Sequence, residues 1–226
     1  NGEFAVFYKN GFATYTADGV LKDAPSTFTS STTTANMSHV NAAQLADGTF
    51  AVMWADASTK TIQYKVVNAD GSDTAIAETT VGSAFAAIAP TNFGADIVEI
   101  GGGKFAMVYQ GYGQGGIQIV NADGTLGGFS TYPASTGVTA TNVTGLEMKT
   151  IPLSDGGFAV LSYVDTQLRL NVFDSNGVRT ADTLVKSFAG AMGLYDLDMT
   201  QLADGKIALI YTGWYQVSNE NLTRTG

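Results

Sequence analysis

Three aromatic residues are the strongest candidates for ligand contact in this chain. Trp214 and Tyr215 stand together in the stretch TGWYQVSNEN, and Tyr112 stands in QGYGQGG. Flat rings that carry a polar group stack on sugar rings or anchor a protein partner at a low cost in side-chain entropy. We therefore expect Tyr112, Trp214 and Tyr215 to form a ligand-binding surface. The alternative is that these rings cover loop ends or a contact between subunits.

A second possible chemistry depends on acidic residues. Asp96, Asp196 and Asp198 lie on predicted strands, and Asn41 and Lys149 hold comparable positions in other repeats. Paired carboxylates supply the acid and the base for glycoside hydrolysis. The same carboxylates also fit a structural role beside the water of a central channel. We expect no catalytic residues and no enzyme, and a polysaccharide lyase or hydrolase is the alternative.

Metal chemistry has little support in the sequence. The turn from Asn68 through Asp70 to Asp73 partly matches a calcium loop, but the closing acidic ligand is missing. The chain has one histidine and no cysteine, so zinc sites and Ser-His-Asp triads have at most one imidazole. We expect no metal site and no cofactor, with calcium at this turn as a remaining possibility.

A sequence repeat must position these candidates. The stretch 45–71, LADGTFAVMWADASTKTIQYKVVNADG, has two Asp-Gly tips around two β-rich runs, and its first run returns as EFAVFY, KFAMVY, GFAVLSY and KIALIY. Asp-Gly pairs supply positive φ at hairpin tips. The second tip recurs 52 or 53 residues apart, at Gly19, Gly71, Gly124 and Gly177. A period of about 50 residues with four short strands is typical of β-propeller blades.

The repeat predicts an all-β fold, a β-propeller of four-stranded antiparallel blades that forms a single domain over residues 1–226. Blades 33–83, 84–134 and 135–188 are complete, 1–32 lacks strand one, and 189–226 stops during or after strand three. Three arrangements remain open: a five-bladed ring, a fragment of a larger ring, or an assembly in which another chain completes the open sheet edges. Aromatic residues at one position of strand two predict packing between blades; they are Tyr8, Trp54, Tyr109 and Tyr211.

Composition excludes several classes of partner. The chain has 226 residues, a net charge of −9 and only 11 Lys and Arg, which disfavours nucleic acid. Mean hydropathy is +0.09, and no apolar run reaches the roughly 18 residues of a membrane span, so we expect no membrane insertion. The absence of Cys and the abundance of Thr, Gly and Asn favour an exported bacterial protein. The lack of an initiator Met predicts a processed or excised piece.

The pattern Leu-x-Asp-Gly-x-Phe-Ala-Val-x-Trp, followed by a hairpin that ends in Asn-Ala-Asp-Gly, resembles the repeats of large secreted bacterial proteins of the hemolysin-type calcium-binding (RTX) class and of related surface adhesins. The resemblance covers most of the chain. It implies export and an extracellular or cell-surface location, as one module of a longer polypeptide. The glycine-aspartate nonapeptides that bind calcium in that class are absent, so their calcium chemistry is not implied.

Long connections gather at one end of the predicted propeller. The turns from strand two to three and from strand four to the next strand one share this end, and the short Asp-Gly tips lie at the other. We call it the long-loop end; it includes 79–94, 110–116, 133–145 and 212–221. Variable loops on a rigid scaffold commonly bind ligands. We therefore expect a non-catalytic binding or adhesion module that recognises a glycan or a surface protein. A structural subunit of an extracellular assembly is the alternative.

Overall fold

The fold is built from β-strands. The computed structural model describes residues 4–23, 25–81, 93–111, 114–133, 148–164, 167–188 and 192–215. Within these ranges every regular element is a strand, and no helix suited to crossing a bilayer is found there. The strands form five antiparallel sheets. The all-β prediction is confirmed.

The five sheets follow one another along the chain. The first contains β1 (Phe4–Tyr8), β2 (Gly11–Tyr15) and β3 (Ser26–Thr27). The second contains β4 (Met37–Gln44), β5 (Phe50–Asp56), β6 (Thr61–Val67) and β7 (Thr79–Val81). The third contains β8 (Phe93–Gly101), β9 (Lys104–Gly111), β10 (Gln114–Val120) and β11 (Leu126–Pro133). The fourth contains β12 (Met148–Pro152), β13 (Phe158–Val164), β14 (Gln167–Phe173) and β15 (Arg179–Ser187), and the fifth contains β16 (Met192–Gln201) and β17 (Ile207–Tyr215).

Each sheet falls inside one of the five predicted repeat units. Strand one is β4, β8, β12 or β16, and strand two is β5, β9, β13 or β17. The sequence of β1 repeats that of strand two, so the first sheet has no strand one among the described residues. The fifth sheet shows strands one and two, and residues 216–226 lie outside the described part. Among the described residues, three sheets therefore have four strands, the first has three and the fifth has two.

Successive sheets pack face to face around the inner strands. Strand β4 contacts β8, β8 contacts β12, and β12 contacts β16. One apolar cluster fills each junction between neighbouring sheets. At the first junction, Trp54 is fully buried, and its ring centroid lies 5.8 Å from that of Phe28. This radial stacking of sheets is the architecture of a β-propeller, in which no blade buries both faces without its neighbours.

Alternate residues of strand two point to opposite sides of the sheet. In β5, Phe50, Val52 and Trp54 pack in the cluster shared with the first sheet, whereas Ala51 and Met53 pack in the cluster shared with the third. We call the side toward the preceding sheet the back face and the side toward the following sheet the front face. Strands β9 and β13 repeat this arrangement.

The repeated aromatic position lies on the back face. Trp54 and Tyr109 are 0% and 1% exposed there, in the first and second junctions. Tyr211 is half-buried against the cluster between the fourth and fifth sheets. Tyr8 is 48% exposed, because no described residue covers the back face of the first sheet. Packing between blades thus explains three of the four predicted aromatic positions.

The two sets of hairpin tips differ in their surroundings. Two of the second tips pack on the preceding repeat: a Cβ added to Gly124 would lie 2.6 Å from Ile76 Cγ2, and one added to Gly71 would lie 2.8 Å from Ser26 Cβ. The hydroxyl of Tyr64 donates a 2.7 Å hydrogen bond to the Gly124 carbonyl. The first tip at Gly48 has no described atom within 4 Å of an added Cβ. The second tips at Gly71 and Gly124 therefore lie in contacts between blades, whereas the first tip at Gly48 does not.

Candidate functional site

Strand one of the second, third, fourth and fifth sheets places a polar side chain at the same register position. In every case the residue directly across the sheet lies on strand two, three residues after the Phe or Ile that begins the repeated segment. The polar residues, each with the strand-two residue it faces, are Asn41 (Met53), Asp96 (Val108), Lys149 (Leu161) and Asp198 (Ile210). Residues paired across a sheet lie on the same side, so these polar side chains belong to the front faces.

These side chains connect each inner strand to the next. Asn41 Nδ2 donates a 3.0 Å hydrogen bond to the carbonyl oxygen of Ala95 on β8. The backbone N–H and hydroxyl of Thr150 on β12 donate to Asp96 Oδ2 at 2.7 and 2.8 Å. Lys149 Nζ lies 3.8 Å from Asp198 Oδ1 on β16. Each junction between inner strands thus has its own polar contact.

Asp96 is a structural residue in this arrangement. Its Oδ1 accepts a 2.9 Å hydrogen bond from the Ile97 N–H, while its Oδ2 is occupied by Thr150. Burial raises the pKa of the Asp96 carboxyl, and the hydrogen bonds from Thr150 and Ile97 partly offset that rise. A raised pKa suits a general acid. The carboxylate is nevertheless engaged by the neighbouring blade, so its first role is to join blades.

Asp196 and Asp198 differ from Asp96 in being exposed. They face Thr212 and Ile210 across the fifth sheet, so both lie on its front face. Two residues of strand rise separate their Cα atoms by about 7 Å. Carboxyl groups about 6.5–9.5 Å apart leave room for a water molecule in inverting glycoside hydrolysis. The fifth sheet therefore presents two solvent-facing aspartates, two residues apart on one face of β16.

The aromatic residues predicted to bind ligand lie at the edge of the described structure. Tyr112 is outside the described residues, as are most of the long connections at the long-loop end. Trp214 and Tyr215 are the last two residues of β17, and their backbones pair with Gly193 and Met192. Their side chains are outside the described part. The structure therefore places two of the three residues at the end of one strand.

A buried polar cluster at the long-loop end was missed by the sequence analysis. The Asp56 carboxylate accepts hydrogen bonds from the Thr32 hydroxyl at 3.0 Å and from the Ser58 N–H and hydroxyl at 2.8 and 2.6 Å. Trp54 Nε1 donates to the same Thr32 hydroxyl at 3.1 Å. Burial raises the pKa of Asp56, but the bonds from Ser58, Thr32 and Thr59 outweigh it and lower the pKa overall. The only signal in the sequence is Asp-x-Ser after strand two, which is typical of a tight turn.

The turn that partly matched a calcium loop has its carboxylates engaged by protein groups. Asp70 Oδ1 accepts from the N–H and hydroxyl of Ser72 at 2.9 and 2.6 Å. Asp73 lies 2.7 Å from the ammonium of Lys65, a side chain that is almost fully buried. Among the described residues, no group of three or more His, Cys, Asp or Glu side chains is placed to hold a metal ion. Turn formation accounts for this motif.

Solved structures share this fold. The chain is similar to the NanB sialidase from Streptococcus pneumoniae in a complex with 2-[(3-chlorobenzyl)ammonio]ethanesulfonate, with a TM-score of 0.57 and 13% identity over 89% of this chain and 32% of that chain. It is also similar to the K499G mutant of the same sialidase, with a TM-score of 0.55 and 14% identity over the same shares. The chain therefore spans about a third of those proteins. No protein-family model and no curated protein matches it.

These likenesses correct one prediction and support another. The sequence analysis predicted that the chain is not an enzyme; that prediction is wrong, because the solved structures with this fold belong to an enzyme, NanB sialidase. The non-catalytic part of the predicted function is therefore withdrawn. At 13–14% identity the likeness shows the fold alone. It confirms the β-propeller fold and assigns no reaction to this chain.

Proposed function

We propose that the chain is a propeller module of an exported bacterial surface protein and that it recognises glycans at its long-loop end. The observation that carries this proposal is the fold that the chain shares with NanB sialidase, a glycan-processing enzyme. The resemblance of its repeats to those of RTX proteins and surface adhesins supports the same location. Ligands of rigid β-scaffolds bind at the loops, which vary while the strands stay constant.

Trp214 and Tyr215 are the proposed contact residues, together with Tyr112 of the third repeat. The backbones of Trp214 and Tyr215 are held by pairing with β16 at the end of β17. A ring attached to a paired strand loses less entropy on binding than one on a free loop. These residues therefore suit the stacking of sugar rings, with neighbouring loops supplying hydrogen bonds.

The charges favour a neutral glycan over an acidic one. Both arginines in the described part, Arg169 and Arg179, contact the same carboxylate of Asp182, at 3.0 and 3.4 Å. Lys65 is committed to Asp73. An arginine recognises a carboxylate best when its guanidinium donates two parallel hydrogen bonds to it. A guanidinium already paired with an aspartate is not available for a sugar carboxylate. With a net charge of −9, the protein also repels anionic ligands at long range.

A glycan array tests this function. Wild-type protein should bind neutral oligosaccharides, and Trp214→Ala should weaken that binding by about tenfold or more, as expected for an aromatic contact at a binding centre. Phe129→Ala is the matched control, because Phe129 is an aromatic residue 48% exposed on the outer strand β11. Absence of glycan binding by the wild type, or equal losses in both variants, would refute the proposal.

A glycan hydrolase is the second candidate. The spacing and exposure of Asp196 and Asp198 favour it, together with the enzyme that shares the fold. Incubation with neutral and sialylated oligosaccharides, followed by analysis of released sugars, measures the activity directly. Asp198→Asn should abolish any release, while Asp182→Asn, on an outer strand, should not. Release that survives Asp198→Asn would exclude this pair as the catalytic residues.

A further inference from the structure

The front face of strand two is buried in every sheet that has a following neighbour and a complete set of strands. The residues that form it in β5, β9 and β13 are each 0% exposed; they are Ala51, Met53, Ala106, Val108, Ala159 and Leu161. The equivalent residues of the fifth sheet are Ala208 and Ile210, and Ile210 is 66% exposed. The fifth sheet thus presents an uncovered copy of an interface that is buried three times elsewhere in the chain.

Strand one of the fifth sheet, β16, likewise has no following inner strand against it among the described residues. Asp198 is equivalent to Asp96, which accepts two hydrogen bonds from Thr150 of the following blade. The Asp198 side chain is 66% exposed, and it contacts Lys149 of the preceding blade and its own neighbour Met199. Its position matches that of an acceptor for donors on a following inner strand.

The opposite end of the array presents the complementary half of the interface. The back face of the first sheet consists of Phe4, Val6 and Tyr8, which are 48%, 46% and 48% exposed. In the second sheet the equivalent residues are Phe50, Val52 and Trp54, at 6%, 0% and 0%. The array therefore ends on one side with a front face and on the other with a back face. These are the two surfaces that meet at every internal junction.

We propose that the front face of the fifth sheet, formed by Asp198, Ala208, Ile210 and Thr212, is a docking surface for one further blade of this same repeat. The partner is an antiparallel sheet whose strand two lays an aromatic and branched apolar back face on Ile210. Its strand one brings a backbone N–H and a side-chain hydroxyl to the Asp198 carboxylate, as Thr150 does for Asp96. The argument is continuity: each internal front face is covered in this way.

A second copy of the chain fits this surface less well. A copy that docked by its first sheet would bring its other four sheets around the same axis. That space already holds the sheets of the first copy, and propellers close with about 4–8 blades. A single blade has no such conflict. The docking of a blade on this face also encloses Asp198, so it excludes the use of Asp198 in hydrolysis.

Thiol reactivity tests the proposal in the full chain. The protein contains no cysteine, so an Ile210→Cys variant carries one reporter thiol. In the 226-residue chain this thiol should react with a maleimide as an exposed thiol does. Addition of a further copy of residues 84–134 after Gly226, through a Gly/Ser linker, should slow the reaction by about tenfold or more, because a docked face must open before it reacts. The urea midpoint should rise as well.

Two controls separate docking from simple attachment. Val178→Cys, at a second tip and 58% exposed, should react equally in the original and extended chains. Ile210→Asp should cancel the rise in the urea midpoint of the extended chain, whereas Val178→Asp should keep it. An equal reaction rate at Ile210→Cys in both chains, or an unchanged midpoint, overturns the proposal. Protection of that thiol in the original chain that disappears on dilution would identify a second copy as the occupant and would also overturn it. None of these measurements depends on glycan binding.

Discussion

Replacement of Gly124 by alanine tests whether the second tips stabilise the contact between blades. Gly124 has a φ of +79°, and an added Cβ would lie 2.6 Å from Cγ2 and 2.9 Å from Cγ1 of Ile76 in the preceding repeat. Gly48, at a first tip, has a φ of +87° and no described atom within 4 Å of an added Cβ. The two positions share the backbone strain of a left-handed residue and differ in steric contact. Their difference in stability therefore isolates the contact between blades.

The expected loss of unfolding free energy follows from the backbone strain and the steric contact. An L-residue with left-handed backbone costs about 1–2 kcal/mol. Forcing a methyl group into a packed contact costs about 1–3 kcal/mol more, since Ile76 or the tip must move. Gly48→Ala should therefore lower the free energy of unfolding by about 1–2 kcal/mol, and Gly124→Ala by about 2–5 kcal/mol. Both effects are large against the roughly 5–15 kcal/mol that stabilise a typical domain.

Urea unfolding followed by tryptophan fluorescence measures both variants. Trp54 is fully buried between the first and second sheets, so its emission reports loss of the junction. The Ile76→Ala substitution removes Cγ1 and Cγ2, the two atoms nearest to an added Cβ, and leaves Ile76 Cβ, which lies 3.3 Å from it. In the double variant Gly124→Ala/Ile76→Ala most of the steric cost should be relieved, and the combined loss should be smaller than the sum of the two single losses.

Two results would refute this reasoning. Equal destabilisation by Gly48→Ala and Gly124→Ala would mean that only backbone strain acts at the tips. Full additivity of Gly124→Ala and Ile76→Ala would mean that the two residues do not meet. Gly156→Ala is a second control, because Gly156 has a φ of +85° and no described atom within 4 Å of an added Cβ.

Three further predictions use the same unfolding assay. Asp96→Ala removes the acceptor of two hydrogen bonds from Thr150, and the free energy of unfolding should fall by about 1–3 kcal/mol. Gln110 is 0% exposed, and its amide N and O have no hydrogen-bond partner in the described structure; Gln110→Met should raise the free energy of unfolding by about 1 kcal/mol. Hydrogen bonds from the Thr125 hydroxyl and N–H lower the pKa of Asp123 below 3.8. The stabilisation from Asp123 is therefore complete above that pH and is lost as the pH falls through the lowered pKa, and Asp123→Asn should flatten this part of the stability curve.

Each of these predictions has an outcome that contradicts it. Wild-type stability in Asp96→Ala would show that the contact between β8 and β12 adds nothing. A loss of stability in Gln110→Met would indicate that a bound water satisfies the amide. An Asp123→Asn variant that keeps the full acid dependence would assign that dependence to other groups, such as Asp47 and Asp70, whose pKa values are lowered in the same way by Thr49 and Ser72.

The fold was predictable because its signals are local. Gly71, Gly124 and Gly177 all have positive φ, and the Asp-Gly or Asn-Gly pairs that mark these turns are visible in the sequence. The alternating Phe-Ala-Val segment places Phe50 and Ala51 on opposite faces, and both are buried because two sheets cover each blade. Strand order then follows from short connections.

The polar contacts were not predictable, because they join residues far apart in the chain. The sequence shows Asp96 and Thr150 on equivalent strands, but the bond between them depends on how closely two inner strands approach. The cluster of Asp56, Thr32 and Trp54 depends likewise on the path of residues 28–36 over the second sheet. Such contacts are decided by packing after the blades have formed.

Tandem repeats with almost identical strands risk pairing in the wrong order while the chain folds. In this protein the polar residue on strand one changes from blade to blade, and this change disfavours the packing of blades in the wrong order. Asn41 requires a carbonyl acceptor, Asp96 requires the donors of Thr150, and Lys149 requires a carboxylate. An exchange of two blades would leave a lysine beside a donor or an aspartate beside a carbonyl. The polar contacts between inner strands thus specify which blade follows which, although the surrounding apolar strands are similar from blade to blade.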